Sequence, residues 1–126
     1  VWRQFDCPAM PDTHVLPEEY RENVETMILS VKDSVKGVFL CTPYYMEPNK
    51  EDAMRKRMET YVQICRELAD KHGCILVDFQ KMYEAYCLIR HSSCFAWDRV
   101  HPNQMGATMM AKAFLDKCGF DYSHSL

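Results

Sequence analysis

Residues 37–78 read GVFLCTPYYMEPNKEDAMRKRMETYVQICRELADKHGCILVD, where two short apolar runs flank a long stretch of mixed charged and apolar residues. The runs, residues 38–41 and 74–77, have the length and composition typical of strands buried on both faces. Between them, apolar residues recur every three or four positions, which predicts an amphipathic helix capped by Asn49 and ending at Gly73. A strand, a helix and a second strand predict parallel pairing in an α/β fold.

The flanking segments add helices. Pro17 with two following glutamates predicts a helix start, and residues 82–89 and 105–117 predict two further helices, the last one capped by Asn103. The apolar face of the first helix is expected to lie in the core: Tyr20, Val24, Met27, Ile28, Val31 and Val35. Because two such apolar strands need neighbours, we expect residues 1–126 to be a single unit of a layered domain whose N-terminal strands lie outside this chain.

Composition narrows the functional classes. The 126 residues are 48% hydrophobic and 26% charged, with a net charge of -3 and no basic stripe, so a nucleic-acid partner is not expected. The apolar runs are too short to span a bilayer. Seven cysteines without a CxxC pair favour reduced thiols and a cytoplasmic location, although secretion stays open because the chain begins at Val1.

Residues 98–103, DRVHPN, place Asp98 three positions before His101 on a loop that enters a helix. A carboxylate that accepts from one imidazole nitrogen leaves the other free to take a proton from a hydroxyl group. The spacing therefore indicates an oriented general base. The alternative is a helix-entry loop in which the two side chains only cap or hydrogen-bond locally.

The surrounding sequence resembles a known family. Residues 97–103, WDRVHPN, followed by Gly106 and a helix, resemble the final motif block of the GDSL or SGNH hydrolases, and residues 37–43 and 75–78 resemble the strands preceding it. Residues 1–5 resemble the segment after that family's Gly-x-Asn-Asp block. The resemblance implies a flavodoxin-like three-layer α/β/α fold with parallel strands. It also implies a serine hydrolase of carboxylic esters, with an acyl-serine intermediate, Asp98 and His101 as catalytic residues, and neither cofactor nor metal.

Three functional blocks of that family are absent from the sequence: the Gly-Asp-Ser with the nucleophile, a glycine, and the Gly-x-Asn-Asp. A nucleophilic serine in such folds follows a strand on a tight turn that contains glycine. None of the six serines of the chain is expected in such a position: Ser30, Ser34, Ser92, Ser93, Ser123 and Ser125. We therefore expect the nucleophile to lie outside this chain, and the chain to be inactive alone.

Four residues are candidates for the substrate pocket: Trp2, Tyr44, Tyr45 and Val100. Tyr44 and Tyr45 follow the end of a strand, where open α/β sheets bind ligands, although plain loop packing is equally compatible. Phe95 and Trp97 are expected to pack behind the Asp98–His101 loop and to shield it from water. Cys94, Asp98 and His101 have no recognised zinc spacing, so no metal site is expected.

The expected substrate is a small-molecule, lipid or sugar ester, and the lack of a large apolar surface stretch favours a simple esterase or acetylesterase over an interfacial lipase. The alternative function is a non-catalytic binding or assembly module on an SGNH-like scaffold. Unpaired apolar strand edges would also permit a homo-oligomer to form through the exposed edge of the sheet.

Overall fold

The computed structural model describes residues 14–123. In this range, six regular elements follow one another in the order α, β, α, β, α, α, with a 3-10 turn at Ser92–Cys94 before the last helix. They are α1 (Pro17–Val31), β1 (Phe39–Cys41), α2 (Ala53–His72), β2 (Ile75–Val77), α3 (Phe79–Cys87) and α4 (Gln104–Lys117). The order confirms the predicted α/β class.

The two strands are parallel, with Phe39 beside Ile75 and Cys41 beside Val77. Adjacent residues of a strand point to opposite faces. The ring of Phe39 lies 4.9 Å from that of Phe114 on α4, whereas Leu40 packs on the cluster formed by α1 and α2. The helices therefore cover both faces of the sheet, which is the predicted three-layer α/β/α arrangement with parallel strands.

The core between α1 and α2 is built from Val24, Ile28, Ile64 and Leu68. The predictions for Met27, Val31 and Val35 were wrong, whereas Tyr20 packs against this core as predicted. Met27 and Val31 are exposed on α1, and Val35 is exposed because α1 ends at Val31 and a turn follows over residues 32–36. Asp33 and Ser34 in this turn are residue types that favour turns over helix interiors.

Two predicted details of the strand–helix–strand unit need correction. Asp52, not Asn49, caps α2, because the Asp52 side chain accepts from the backbone N–H of Arg55 while Asn49 accepts from that of Glu51 in a preceding turn. Within the described range, Val77 is fully buried but Ile75 at the start of β2 is exposed, so β2 is not buried throughout.

No helix of residues 14–123 combines the length and the apolar composition that crossing a bilayer requires. The six cysteines in this range are free thiols, and Cys7 lies outside it.

Candidate active site

The Asp98–His101 turn lies between the 3-10 turn and α4, and hydrogen bonds close it at its base. The backbone N–H of Asn103 donates to the carbonyl of Phe95 at 2.8 Å, and the Asn103 amide donates to the carbonyl of Cys94 at 2.9 Å. The Asn103 side chain also accepts from the N–H of Gly106 at 3.0 Å, which confirms the predicted cap of α4. The turn is thus held at a helix entrance.

Asp98 and His101 are in direct contact. Asp98 Oδ2 lies 2.5 Å from His101 Nδ1, and Oδ1 accepts from the backbone N–H groups of Val100 at 3.0 Å and His101 at 2.8 Å. The N–H of His101, its imidazole and the N–H of Val100 together hold the pKa of the Asp98 carboxyl far below its usual range. Since an ionised carboxylate only accepts, Nδ1 is the donor and Nε2 is left to accept a proton.

Gly106 sets how closely α4 approaches this turn. A Cβ at position 106 would lie 2.6 Å from the carbonyl oxygen of Phe95 and 3.0 Å from Cβ of Pro102. The carbonyl of Gly106 accepts from the buried hydroxyl of Tyr83 at 2.9 Å, and this hydrogen bond connects α3 to the first turn of α4. Glycine is therefore required here for close backbone approach.

A cavity of about 400 Å³ adjoins the pair, and its lining combines the loop after β1, α2 and the turn: Tyr45, Met54, Asp98, Val100 and His101. Two of the predicted pocket residues, Tyr45 and Val100, are in this lining. Trp2 lies outside the described residues. The His101 side chain is 85% exposed and that of Asp98 53%, so the pair is open to an approaching group.

Tyr44, also predicted to line the pocket, is not part of this cavity lining. Its ring packs 5.0 Å from that of Tyr83, and its hydroxyl donates to the carbonyl of Val100 at 3.2 Å. Burial and the charge of Asp98 raise the pKa of this hydroxyl. Phe95 is buried behind the turn as predicted, but Trp97 is 90% exposed and shields nothing among the described residues.

The serines near the turn do not meet the pair. The Ser93 hydroxyl lies 2.9 Å from Nδ1 of His91, a different imidazole, and Ser92 is buried in the 3-10 turn. Across residues 14–123, no three His, Cys, Asp or Glu side chains are grouped so as to hold a metal ion.

Sequence reasoning missed three residues that support the turn. Arg99 is the one non-glycine residue of the described range with a positive φ, at 65°, and it forms an ion pair with Glu47. The buried amide of Gln80 accepts from the N–H of Tyr45 at 2.7 Å and donates to its carbonyl at 3.2 Å. These contacts join residues far apart in sequence, and no local signal marks them.

Comparison with known proteins identifies the family of the chain. Residues 9–114 match the family model described as GDSL-like Lipase/Acylhydrolase. An acetylxylan esterase from Geobacillus stearothermophilus is 37% identical over 125 residues, which are 99% of this chain and 57% of the relative. The chain therefore spans somewhat more than half the length of that relative.

Solved structures share the fold. LAE5, an alpha/beta hydrolase enzyme from the metagenome of Lake Arreo, Spain, superposes with a TM-score of 0.90 at 47% identity, covering 94% of this chain and 55% of LAE5. Axe2, an acetylxylan esterase from Geobacillus stearothermophilus, gives a TM-score of 0.92 at 36% identity, covering 99% of this chain and 57% of Axe2.

Three solved Axe2 variants are catalytic mutants in which a serine, an aspartate or a histidine is replaced by alanine. The Axe2 aspartate precedes the histidine by three positions, the spacing of Asp98 and His101. Because the family match extends over most of its length and its fold is that of these hydrolases, the chain belongs to the GDSL-like lipase/acylhydrolase family.

Proposed function

We propose that the intact protein hydrolyses carboxylic esters through an acyl-serine intermediate, with His101 as general base and then general acid. The observation that carries the proposal is the 2.5 Å contact between Asp98 Oδ2 and His101 Nδ1 beside an open cavity. This contact fixes the imidazole so that Nε2 faces away from the carboxylate. An imidazole in this state can take a proton from a serine hydroxyl.

Each step conserves atoms and protons. A serine outside this chain attacks the ester carbonyl while His101 Nε2 takes the hydroxyl proton, and the same proton then passes to the leaving alcohol. In the second half-reaction, water attacks the acyl-serine while His101 takes one proton of the water, the bond between the acyl carbon and the serine oxygen breaks, the carboxylic acid leaves, and the proton returns from His101 to the serine oxygen. Asp98 stays ionised throughout, since its lowered pKa keeps the carboxylate available to stabilise the imidazolium.

We infer a small acyl group, with acetyl esters of sugars as the first candidates. The similar proteins are named as an acetylxylan esterase and an acetyl-xylooligosaccharide esterase. Met54 and Val100 give the cavity an apolar side beside His101, suited to a short acyl chain, and Tyr45 adds an aromatic ring. Location in the cytoplasm and association through the sheet edge stay predictions.

The proposal is tested with the full-length gene product, including any residues that precede Val1. Hydrolysis of p-nitrophenyl acetate should fall at least about 10³-fold in His101→Ala, because the proton acceptor is lost. His91→Ala is the matched control, since this exposed histidine contacts Ser93 instead of Asp98, and it should keep the activity. Equal rates in wild type and His101→Ala would reject His101 as the base and favour the binding-module alternative.

A second arm tests the substrate class. Acetate release from acetylated xylo-oligosaccharides should exceed butyrate release from butyrylated xylo-oligosaccharides, which carry the same leaving group, in kcat/KM. The reverse order would contradict the acetyl-sugar assignment while leaving ester hydrolysis in place.

A further inference from the structure

The backbone of the Asp98–His101 turn passes through a conformation that side chains disfavour. Arg99 has φ 65°, in the left-handed region where a Cβ crowds the following carbonyl. This geometry reverses the chain so that the N–H groups of Val100 and His101 both reach Asp98 Oδ1. A turn of this kind persists only where its surroundings hold it.

The loop after β1, residues 42–52, supplies the restraint. The backbone N–H of Met46 donates to the carbonyl of Arg99 at 3.0 Å, and the carboxylate of Glu47 accepts from the Arg99 guanidinium. The other oxygen of Glu47 accepts from the N–H of Asn49 at 2.8 Å. The Glu47 side chain is only 11% exposed, which limits the solvent screening of its charge.

This loop is itself fixed to the scaffold. Gln80 on α3 is fully buried and binds both the N–H and the carbonyl of Tyr45, two positions before Glu47. Gln80 also donates its own backbone N–H to the hydroxyl of Thr42 at 3.2 Å. The contact between Glu47 and Arg99 therefore connects the turn to a rigid element and not to a free loop.

The geometry points to Glu47 as a positioning residue that, through Arg99, holds the turn in the left-handed form in which Asp98 orients His101. The inference rests on the proposed function, because orientation affects catalysis only where His101 is the base. Glu47 is not in the lining of the cavity, so it acts on the turnover step and leaves substrate binding unchanged.

The test is a mutant cycle in the full-length protein. Glu47→Gln keeps an oxygen that accepts from Asn49 but removes the charge that holds Arg99. We expect kcat to fall about 10- to 100-fold with KM within about twofold, the size of effect that a slightly misplaced catalytic group produces. Glu51→Gln is the matched control, because Glu51 lies on the same loop and its exposed ion pair is with Lys56 of α2, and it should leave kcat unchanged.

Arg99→Gly shows whether Glu47 acts through Arg99. Glycine adopts the left-handed conformation without a Cβ penalty, so this variant removes the ion pair and the strain together. Adding Glu47→Gln to Arg99→Gly should then lower kcat by less than twofold further. Full additivity of the two changes would overturn a role exerted through Arg99.

A spectroscopic readout separates this inference from the proposed function. In ¹⁵N-histidine-labelled protein, the Nδ1 proton of His101 should exchange with water faster in Glu47→Gln than in Glu51→Gln. If His101→Ala is inactive while Glu47→Gln keeps wild-type kcat and exchange, the positioning role is rejected alone. If His101→Ala is active, the proposed function is rejected, and the exchange rates still decide whether Glu47 orders the turn.

Discussion

Asp98 combines two tasks in one carboxylate. Oδ1 accepts two backbone N–H groups and so shapes the turn, whereas Oδ2 accepts from the imidazole of His101. The three donors stabilise the charged form, which is why the pKa of Asp98 lies well below its ordinary value of 3.8. Asp98 therefore both stabilises the turn and orients the imidazole of the proposed base.

This lowered pKa predicts the pH dependence of stability. A carboxyl group whose pKa is lower in the folded state stabilises the fold above its unfolded pKa, and the contribution is lost as pH falls through the folded pKa. The melting temperatures of wild type and Asp98→Asn should therefore differ by a constant amount above about pH 5 and converge below about pH 4. The difference should be small, because Asp98 is half exposed.

Thermal melts of both proteins from pH 2 to 7 measure this dependence, with Asp70→Asn as the control at an exposed position outside the turn. A gap between wild type and Asp98→Asn that widens as the pH falls would contradict the assigned direction of the shift.

At the scale of elements, α3 and the loop that follows β1 together support the Asp98–His101 turn. The Gln80 amide pairs with both backbone groups of Tyr45, much as a neighbouring strand would. Tyr83, further along α3, reaches the carbonyl of Gly106 at the start of α4. The loop, α3 and α4 thus fix the two ends of the site relative to each other.

Replacing Gln80 should weaken this support measurably. Gln80→Leu keeps the side-chain volume close to that of glutamine but leaves the N–H of Tyr45 without its partner, whereas the carbonyl of Tyr45 keeps the N–H of Glu47 at 2.9 Å. One unsatisfied buried donor should lower the free energy of unfolding by about 1 to 3 kcal/mol. Chemical denaturation measures the change, and Gln63→Leu, at an exposed glutamine of α2, should cost less than about 0.5 kcal/mol. Equal losses of unfolding free energy in the two variants would show that the Gln80 contacts stabilise the fold no more than the contacts of an exposed glutamine do.

The elements also show what periodicity can predict. Within residues 14–123, apolar runs and helical spacing predicted the four α-helices and both strands in the right order, because these signals depend on near neighbours in sequence. They did not predict that α1 stops at Val31 or that Asp52 caps α2, since competing turns at residues 32–36 and 49–51 decide those ends.

At the scale of the whole molecule, the candidate site was partly predictable. The three-residue spacing of Asp98 and His101 indicated their contact, which is local. The ion pair of Glu47 with Arg99 and the pairing of Gln80 with Tyr45 were not predictable, because they depend on how β1, α3 and the turn meet in space. Arginine also gives no sequence signal for a left-handed backbone, unlike glycine or asparagine.

At the same scale, the proposed function concerns only part of a catalytic centre. Within residues 14–123 the helices cover both faces of a two-stranded sheet, and His101 of the Asp98–His101 pair is largely exposed. The chain spans 57% of the acetylxylan esterase that it resembles, and the serines beside the turn do not meet the pair, since Ser93 contacts His91 and Ser92 is buried in the 3-10 turn. The proposed function therefore requires a serine from outside residues 1–126 to complete the site.

Covalent labelling shows whether a serine outside residues 1–126 completes the site. The full-length gene product and its His101→Ala variant are treated with diisopropyl fluorophosphate, and intact-mass spectrometry with peptide mapping locates the adduct. We expect one phosphorylated serine outside residues 1–126 in the wild type, and labelling slowed at least about 10³-fold in His101→Ala. Equal labelling of both proteins, or an adduct on a serine within this chain, would contradict this expectation.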